Sequence, residues 1–168
     1  MGNGCLDLFK TYLQNTKKCS KNTLDAYIRD VNQFILYCSQ NGAKSIENVT
    51  DDYIIKYMEY LNFLGKSDAT KSRVIASLHS YFNFLISQSV IDNDPTKNIK
   101  GPKTARKIPE ILDAKEIMLL LSQPDGSDYK SIRDRAMLEL LYATGIKVSE
   151  LIELNLSDVN SQIGIIHM

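Results

Sequence analysis

The sixteen residues from Asp94 to Pro109, DPTKNIKGPKTARKIP, constrain this chain more than any other stretch. Three prolines, one glycine and five cations leave no apolar periodicity there, so neither a helix nor a strand can run through. Whatever lies on either side must build its own core. The organisation predicted is therefore a first domain over 1–93, a basic linker over 94–109 and a second domain over 110–168.

Before the break, apolar residues recur at helical spacing four times. Leu6, Phe9 and Leu13 give a short first stripe. Ser20 is placed to cap a second helix carrying Leu24, Tyr27, Ile28, Val31, Phe34, Ile35 and Cys38, with Gly42 as its stop. Thr50 is read as the cap of a third helix, whose stripe is Ile54, Tyr57, Met58 and Leu61 and whose end is Gly65. Ser67 or Asp68 opens a fourth, with Val74, Ile75, Leu78, Tyr81, Phe82 and Leu85. Four such stripes can close one core, which predicts a small four-helix bundle.

After the break, Asp113 and Glu116 form a capping-box pattern, with Leu112 and Ile117 at the positions of a hydrophobic staple. A loop with Pro124 and Gly126 separates that helix from one over 129–144, closed by Gly145. A short helix over 148–154 comes next, with a lone cation, Lys147, at the joint. A helix start and a fixed positive charge at one point suit a phosphate. The closing IGIIHM reads as a single apolar strand with no partner, which predicts that the second domain is incomplete.

The net charge of zero cancels two opposite halves. Residues 1–107 hold 15 Lys and Arg against 10 Asp and Glu, leaving +5; residues 108–168 hold 5 against 10, leaving −5. Such asymmetry hints at a part that binds a polyanion. No apolar stretch nears the roughly 18 residues of a membrane span. The three cysteines form no close pair and the histidines are two, His79 and His167, which excludes a disulfide framework or a zinc site. A cytoplasmic protein with no metal, no cofactor and no membrane partner is expected.

Two helices carry polar faces suited to a DNA groove. Lys21, Asn22, Asp25, Arg29 and Asn32 lie off the stripe of the second; Lys71, Ser72, Arg73 and Ser77 lie off that of the fourth, with Lys66 before it. The same faces also suit plain solvation. Tyr27 and Tyr81 read as core aromatics with hydrated hydroxyls rather than as base-stacking platforms.

KNTLDAYIRDVNQFILY, ATKSRVIASLHSYFNFL, NDPTKNIKGPK, KIPEILDAKEIMLLL and RDRAMLELLYATG occur here in that order. This ordered set resembles the Xer-like tyrosine recombinases and phage-type integrases over nearly the whole chain. The resemblance implies a mainly α protein: a SAM-like four-helix core-binding bundle, then the helical start of an incomplete α+β catalytic domain. It implies a clamp on double-stranded DNA, at a recombination site of inverted-repeat type, with Lys21, Asn22, Thr23, Tyr27, Arg29, Lys66, Thr70, Lys71 and Arg73 near the duplex. The linker cations Lys97, Lys100, Lys103, Arg106 and Lys107 would lie near phosphates. The family forms a tetramer on DNA; this chain alone is expected to be a monomer or weak dimer.

In that family a tyrosine attacks the phosphodiester and an arginine stands where this chain has Lys147. Glu150 matches the acidic residue beside it. A lysine keeps the charge but loses the flat two-pronged donor, so Lys147 is expected to bind phosphate and support little cleavage. The nucleophile segment of the family is expected beyond Met168, so this chain alone is predicted inactive. Two other readings stay open: a non-catalytic regulator occupying recombination sites, and a helical protein-interaction module.

Overall fold

A computed structural model describes residues 3–103, 110–160 and 162–167. Arg106 and Lys107 lie outside the described residues. The chain divides into two units, Met1–Arg106 and Lys107–Met168.

The first unit holds α1 (Asn3–Asn15), α2 (Lys21–Gln40), α3 (Asp51–Phe63) and α4 (Asp68–Ser87). Two of these helices start with the same device. Ser20 Oγ accepts the Thr23 backbone N–H, and Ser67 Oγ accepts that of Thr70, each at 3.3 Å. Each serine thus satisfies one of the donors that a helix start leaves free. Thr50 occupies the corresponding place before α3, yet its hydroxyl makes no capping bond, which corrects the role read for it. Gly42 (φ +92°) and Gly65 (φ +67°) follow α2 and α3 in the left-handed region, where a Cβ would be strained.

α4 packs against both α1 and α2, and α2 also against α3. Their buried faces meet in an aromatic seam. The Phe34 ring stands edge-on to Tyr57 at 5.2 Å and to Phe82 at 6.1 Å, and Phe9 edge-on to Tyr81 at 5.1 Å. Each fully buried large side chain contributes roughly 1.5–3 kcal/mol of transfer free energy. α4 is the most enclosed helix: Val74, Ile75, Ser77, Leu78, Tyr81, Phe82, Phe84 and Leu85 are all buried. That enclosure overturns two expectations. Ser77, read as part of a solvated face, is wholly inside and donates its hydroxyl to the Val74 carbonyl at 2.8 Å. The Tyr81 hydroxyl, expected to be hydrated, is buried without a hydrogen-bond partner among the described residues.

The segment whose prolines and glycine suggested a linker is, over residues 94–103, fastened along α4. His79 Nε2 meets the Ile99 carbonyl at 3.0 Å, and the Ser72 hydroxyl donates to the Pro102 carbonyl at 2.6 Å. As the segment advances from Ile99 to Pro102, its ties step back along α4 from His79 to Ser72, so the two run antiparallel. Seven helical residues span about 10.5 Å, close to the reach of three extended ones, roughly 10 Å. Gly101 sits so near α4 that a Cβ there would stand 3.1 Å from the Ser72 Cα. Thr96, itself part of this strap, is fully buried.

The second unit holds α5 (Ala114–Ser122), α6 (Tyr129–Thr144), α7 (Val148–Glu153) and a hairpin of β1 (Val159–Asn160) and β2 (Ile165–Ile166). The capping box forms: the Glu116 N–H donates to Asp113, and the Asp113 N–H to the Glu116 carboxylate, both at 2.8 Å. Gly145 closes α6 with φ +67°. The strand read as solitary is not. Val159 pairs with Ile166 and Asn160 with Ile165, antiparallel. Asn160 Oδ1 accepts the N–H groups of Gln162 and Ile163, building a turn that the sequence pattern did not reveal. Among the described residues of this unit Ile146 alone is buried, while Leu119, Ile152 and Ile163 lie well exposed.

Candidate nucleic-acid interface

The polar residues proposed for DNA fall into three groups with different surroundings. At the start of α2, Lys21 and Asn22 are exposed, as are Arg29 two turns further along that helix and Lys66 just before α4. Thr23 and Thr70 are half-buried, their hydroxyls 2.9 and 3.0 Å from those of Ser20 and Ser67. Tyr27 packs partly against the core.

The second group is tied internally. Lys71 Nζ lies 2.6 Å from Asp68 Oδ1 and 2.6 Å from Asn62 Oδ1, with its side chain 14% exposed. Arg73 Nη1 donates to both oxygens of Asp30, a carboxylate buried on α2. Burial pushes the Asp30 carboxyl above its ordinary value, and the Arg73 charge only partly reverses that. Arg73 keeps a side chain 35% exposed, so it has a structural bond on one edge and solvent on the other.

The strap supplies the third group. Lys97, Lys100 and Lys103 are all exposed. Beside them a concavity of about 420 Å³ is lined by Asn62 and Lys71 from the helices and by Asn98 and Lys100 from the strap, with the Glu59 carboxylate and the apolar Ile55 and Met58 also on its wall. Helix-end amides, asparagine side chains and lysines can all donate to phosphate oxygens. Of the ties that hold this surface, Ser72 was read as part of a face suited to a DNA groove, but its hydroxyl is spent on the Pro102 carbonyl, while the roles of His79, Asp94 and Thr96 escaped the sequence reading. A signal was available in Asp94-Pro95-Thr96: the Thr96 N–H donates to Asp94 Oδ1 at 2.8 Å, an Asx turn.

In the second unit Lys147 precedes α7 in extended conformation, its side chain 80% exposed. Glu150 takes the Lys147 backbone N–H at 2.7 Å, while its other oxygen is 3.4 Å from Lys147 Nζ. The backbone bond, more than the long ion pair, draws the Glu150 carboxyl below its usual range. Glu150 therefore already occupies one donor of the helix start that was read as open to phosphate. Among the described residues no group of His, Cys, Asp or Glu could hold a metal, and no helix is long and apolar enough to cross a membrane.

Residues 6–89 match the phage integrase N-terminal SAM-like domain, and residues 110–168 match the phage integrase family. The chain belongs to the phage integrase family. It is 36% identical to tyrosine recombinase XerD of Halalkalibacterium halodurans over 165 residues, 98% of this chain and 55% of that protein. It is also 36% identical to tyrosine recombinase XerC of a Roseiflexus species over 159 residues, 94% of this chain and 51% of that one. The chain spans about half the length of the curated relatives it matches. A lambda integrase dimer bound to a COC′ core site shares the fold, with a TM-score of 0.72 at 20% identity over 94% of this chain and 42% of that chain.

Proposed function

We propose that this chain grips double-stranded DNA at a recombination site, as the DNA-binding region and catalytic-domain opening of a site-specific tyrosine recombinase or integrase. What carries the reading is the ordered match to both integrase families on a chain whose exposed lysines ride a strap fastened to α4. The fold neighbour is described as bound to a core site, and the same class of partner suits this surface. Lys97, Lys100 and Lys103, with Arg106 and Lys107, engage phosphates; Lys21, Asn22, Arg29 and Lys66 approach the duplex from the helix ends. Thr23, Tyr27 and Thr70 pack and cap beside them, and Lys71 and Arg73 contribute through their exposed edges. The site is of inverted-repeat type, the protein acts in the cytoplasm, and without DNA it is a monomer or weak dimer.

Lys147 meets a phosphate oxygen with Glu150 steering its amine. A lysine cannot grip two oxygens at once, and losing one such donor costs roughly 3–4 kcal/mol of transition-state stabilisation. Binding without efficient cleavage follows. The same substitution favours a second reading, a regulator that occupies recombination sites without cutting.

Gel-shift titration on an inverted-repeat duplex at two salt concentrations tests the binding. Affinity should fall steeply with salt, since each neutralised phosphate releases counterions. Absent or salt-insensitive binding leaves the protein-interaction module standing instead. A suicide substrate should give no covalent protein–DNA adduct; an adduct overturns the claim that this chain alone cannot cleave.

A further inference from the structure

His79 sits at the centre of a polar relay in the first unit. Its Nε2 is 3.0 Å from the Ile99 carbonyl oxygen and its Nδ1 is 2.8 Å from Thr96 Oγ1. The Thr96 hydroxyl stands 2.5 Å from Asp94 Oδ1, which also accepts the Thr96 backbone N–H at 2.8 Å. Thr96 is fully buried, so water does not compete at that hydroxyl.

Counting hydrogens exposes a conflict. A carbonyl only accepts, so Nε2 must carry a proton. If the ring is neutral, Nδ1 is then a bare lone pair. The Thr96 hydroxyl has one hydrogen and would have to serve both Nδ1 and Asp94. Whichever partner it abandons leaves two lone pairs facing each other at short range, a costly arrangement away from water. With both ring nitrogens protonated the conflict disappears. Nε2–H donates to Ile99, Nδ1–H donates to Thr96, and the Thr96 hydroxyl donates to Asp94. Moving the proton along the relay to Asp94 keeps the same total, one more than a neutral ring and a carboxylate would hold.

We infer that His79 is a positioning residue that latches the strap onto α4 only while the His79–Thr96–Asp94 relay holds that extra proton, and so sets where Lys97, Lys100 and Lys103 are held. Cations as well as carboxylates belong to the surroundings of the His79 ring: exposed Lys97 and Lys100 adjoin its partners Thr96 and Ile99 in the strap. Asp94 faces it through Thr96. Asp92 of the same segment, Glu47 of the turn before α3 and Asp51 at the start of α3 line a cavity of about 520 Å³ that Asp94 also lines. On α4 itself Arg73 is committed to Asp30. The consequence for DNA rests on the binding proposed above; the latch does not.

The full chain tests this without DNA. Hydrogen exchange of residues 94–103, corrected for intrinsic rates, is followed from about pH 5 to pH 8, the range in which histidine changes charge. Nitrogen-15 shifts of the two histidine rings are recorded alongside, with His79→Gln assigning the signals. Protection should be high at the acid end, where the relay holds its extra proton, and fall about fivefold once that proton is lost, the loss of about one hydrogen bond. Thr96→Val keeps the ring and its charge but removes the relay, so its strap should exchange fast at every pH. His79→Arg, a permanent cation with several donors, should restore protection and remove the pH dependence. Equal protection at both ends in the wild type overturns the latch.

Affinity for an inverted-repeat duplex at fixed salt forms the second arm. It should drop about fivefold across the same range in the wild type and stay flat in Thr96→Val. If exchange follows the expected course but no form binds DNA, the latch stands and the binding proposal falls. If the duplex binds while exchange ignores pH, the latch alone falls.

Discussion

Arg73 on α4 and Asp30 on α2 are joined through one nitrogen: Arg73 Nη1 lies 2.8 Å from Asp30 Oδ2 and 3.1 Å from Oδ1. The carboxylate is buried and the guanidinium is 35% exposed, so the two partners do not stand to lose equally. Arg73→Gln leaves a buried charge without its counter-ion and should cost about 3–5 kcal/mol in denaturant unfolding. Asp30→Asn frees a cation that can still reach water and should cost less. Because burial holds the Asp30 carboxyl above its usual value, the folded state binds its proton more tightly than the unfolded chain. This group's contribution is therefore fully present below the usual carboxylate pKa and declines as pH rises through the raised one. Arg73→Gln should steepen that decline; a pH-independent cost would contradict it.

The close approach of Gly101 to Ser72 predicts a second effect. Gly101→Ala places a methyl 3.1 Å from the Ser72 Cα and should lift the strap. Limited proteolysis would then cut within 94–103 sooner, while the helical content read by circular dichroism stays unchanged. Ser72→Ala removes the bond to Pro102 and should act the same way at about 1 kcal/mol. Wild-type cleavage rates in both variants would mean the strap is not held there.

For the proposed DNA interface, replacing Lys97, Lys100 or Lys103 by Ala should reduce the slope of log affinity against log salt by about one for each phosphate left without its cation. The same change at Lys71, already bonded to Asp68 and Asn62, should alter the slope less. Equal effects at all four positions would deny the strap any special part.

Burial differs sharply between the two units, and stability should follow it. Phe34→Ala, at a wholly buried ring touching Tyr57 and Phe82, should cost about 3–5 kcal/mol. Ile152→Ala, at a side chain 73% exposed, should stay within about 0.5 kcal/mol. Native-state hydrogen exchange should likewise protect α2 and α4 far more than α5 to α7.

Much of the first unit was legible because its signals are local. Ser20 and Ser67 sit three residues before a threonine whose N–H each accepts, and the apolar stripes of α2 and α4 point inward as spaced. Ser77 was misread because periodicity says which face is most apolar, not how far neighbours wrap round it. The β1–β2 hairpin was missed because Val159–Asn160 is too short to show alternation. The fastening of residues 94–103 was hidden for a different reason. Its acceptors are the main-chain carbonyls of Ile99 and Pro102, which every residue has and no sequence pattern marks. Lys147 and Glu150 were recognised by resemblance, and their geometry adds that the carboxylate serves the backbone first.

Because the strap is pinned at two places whose separation matches two turns of α4, its length cannot drift freely. One residue inserted between Ile99 and Pro102 must either bulge outward or surrender an anchor, whereas a change of length beyond Lys103 would disturb neither. Natural variation in loop size should therefore gather on the far side of that lysine, leaving the pinned stretch at a constant count.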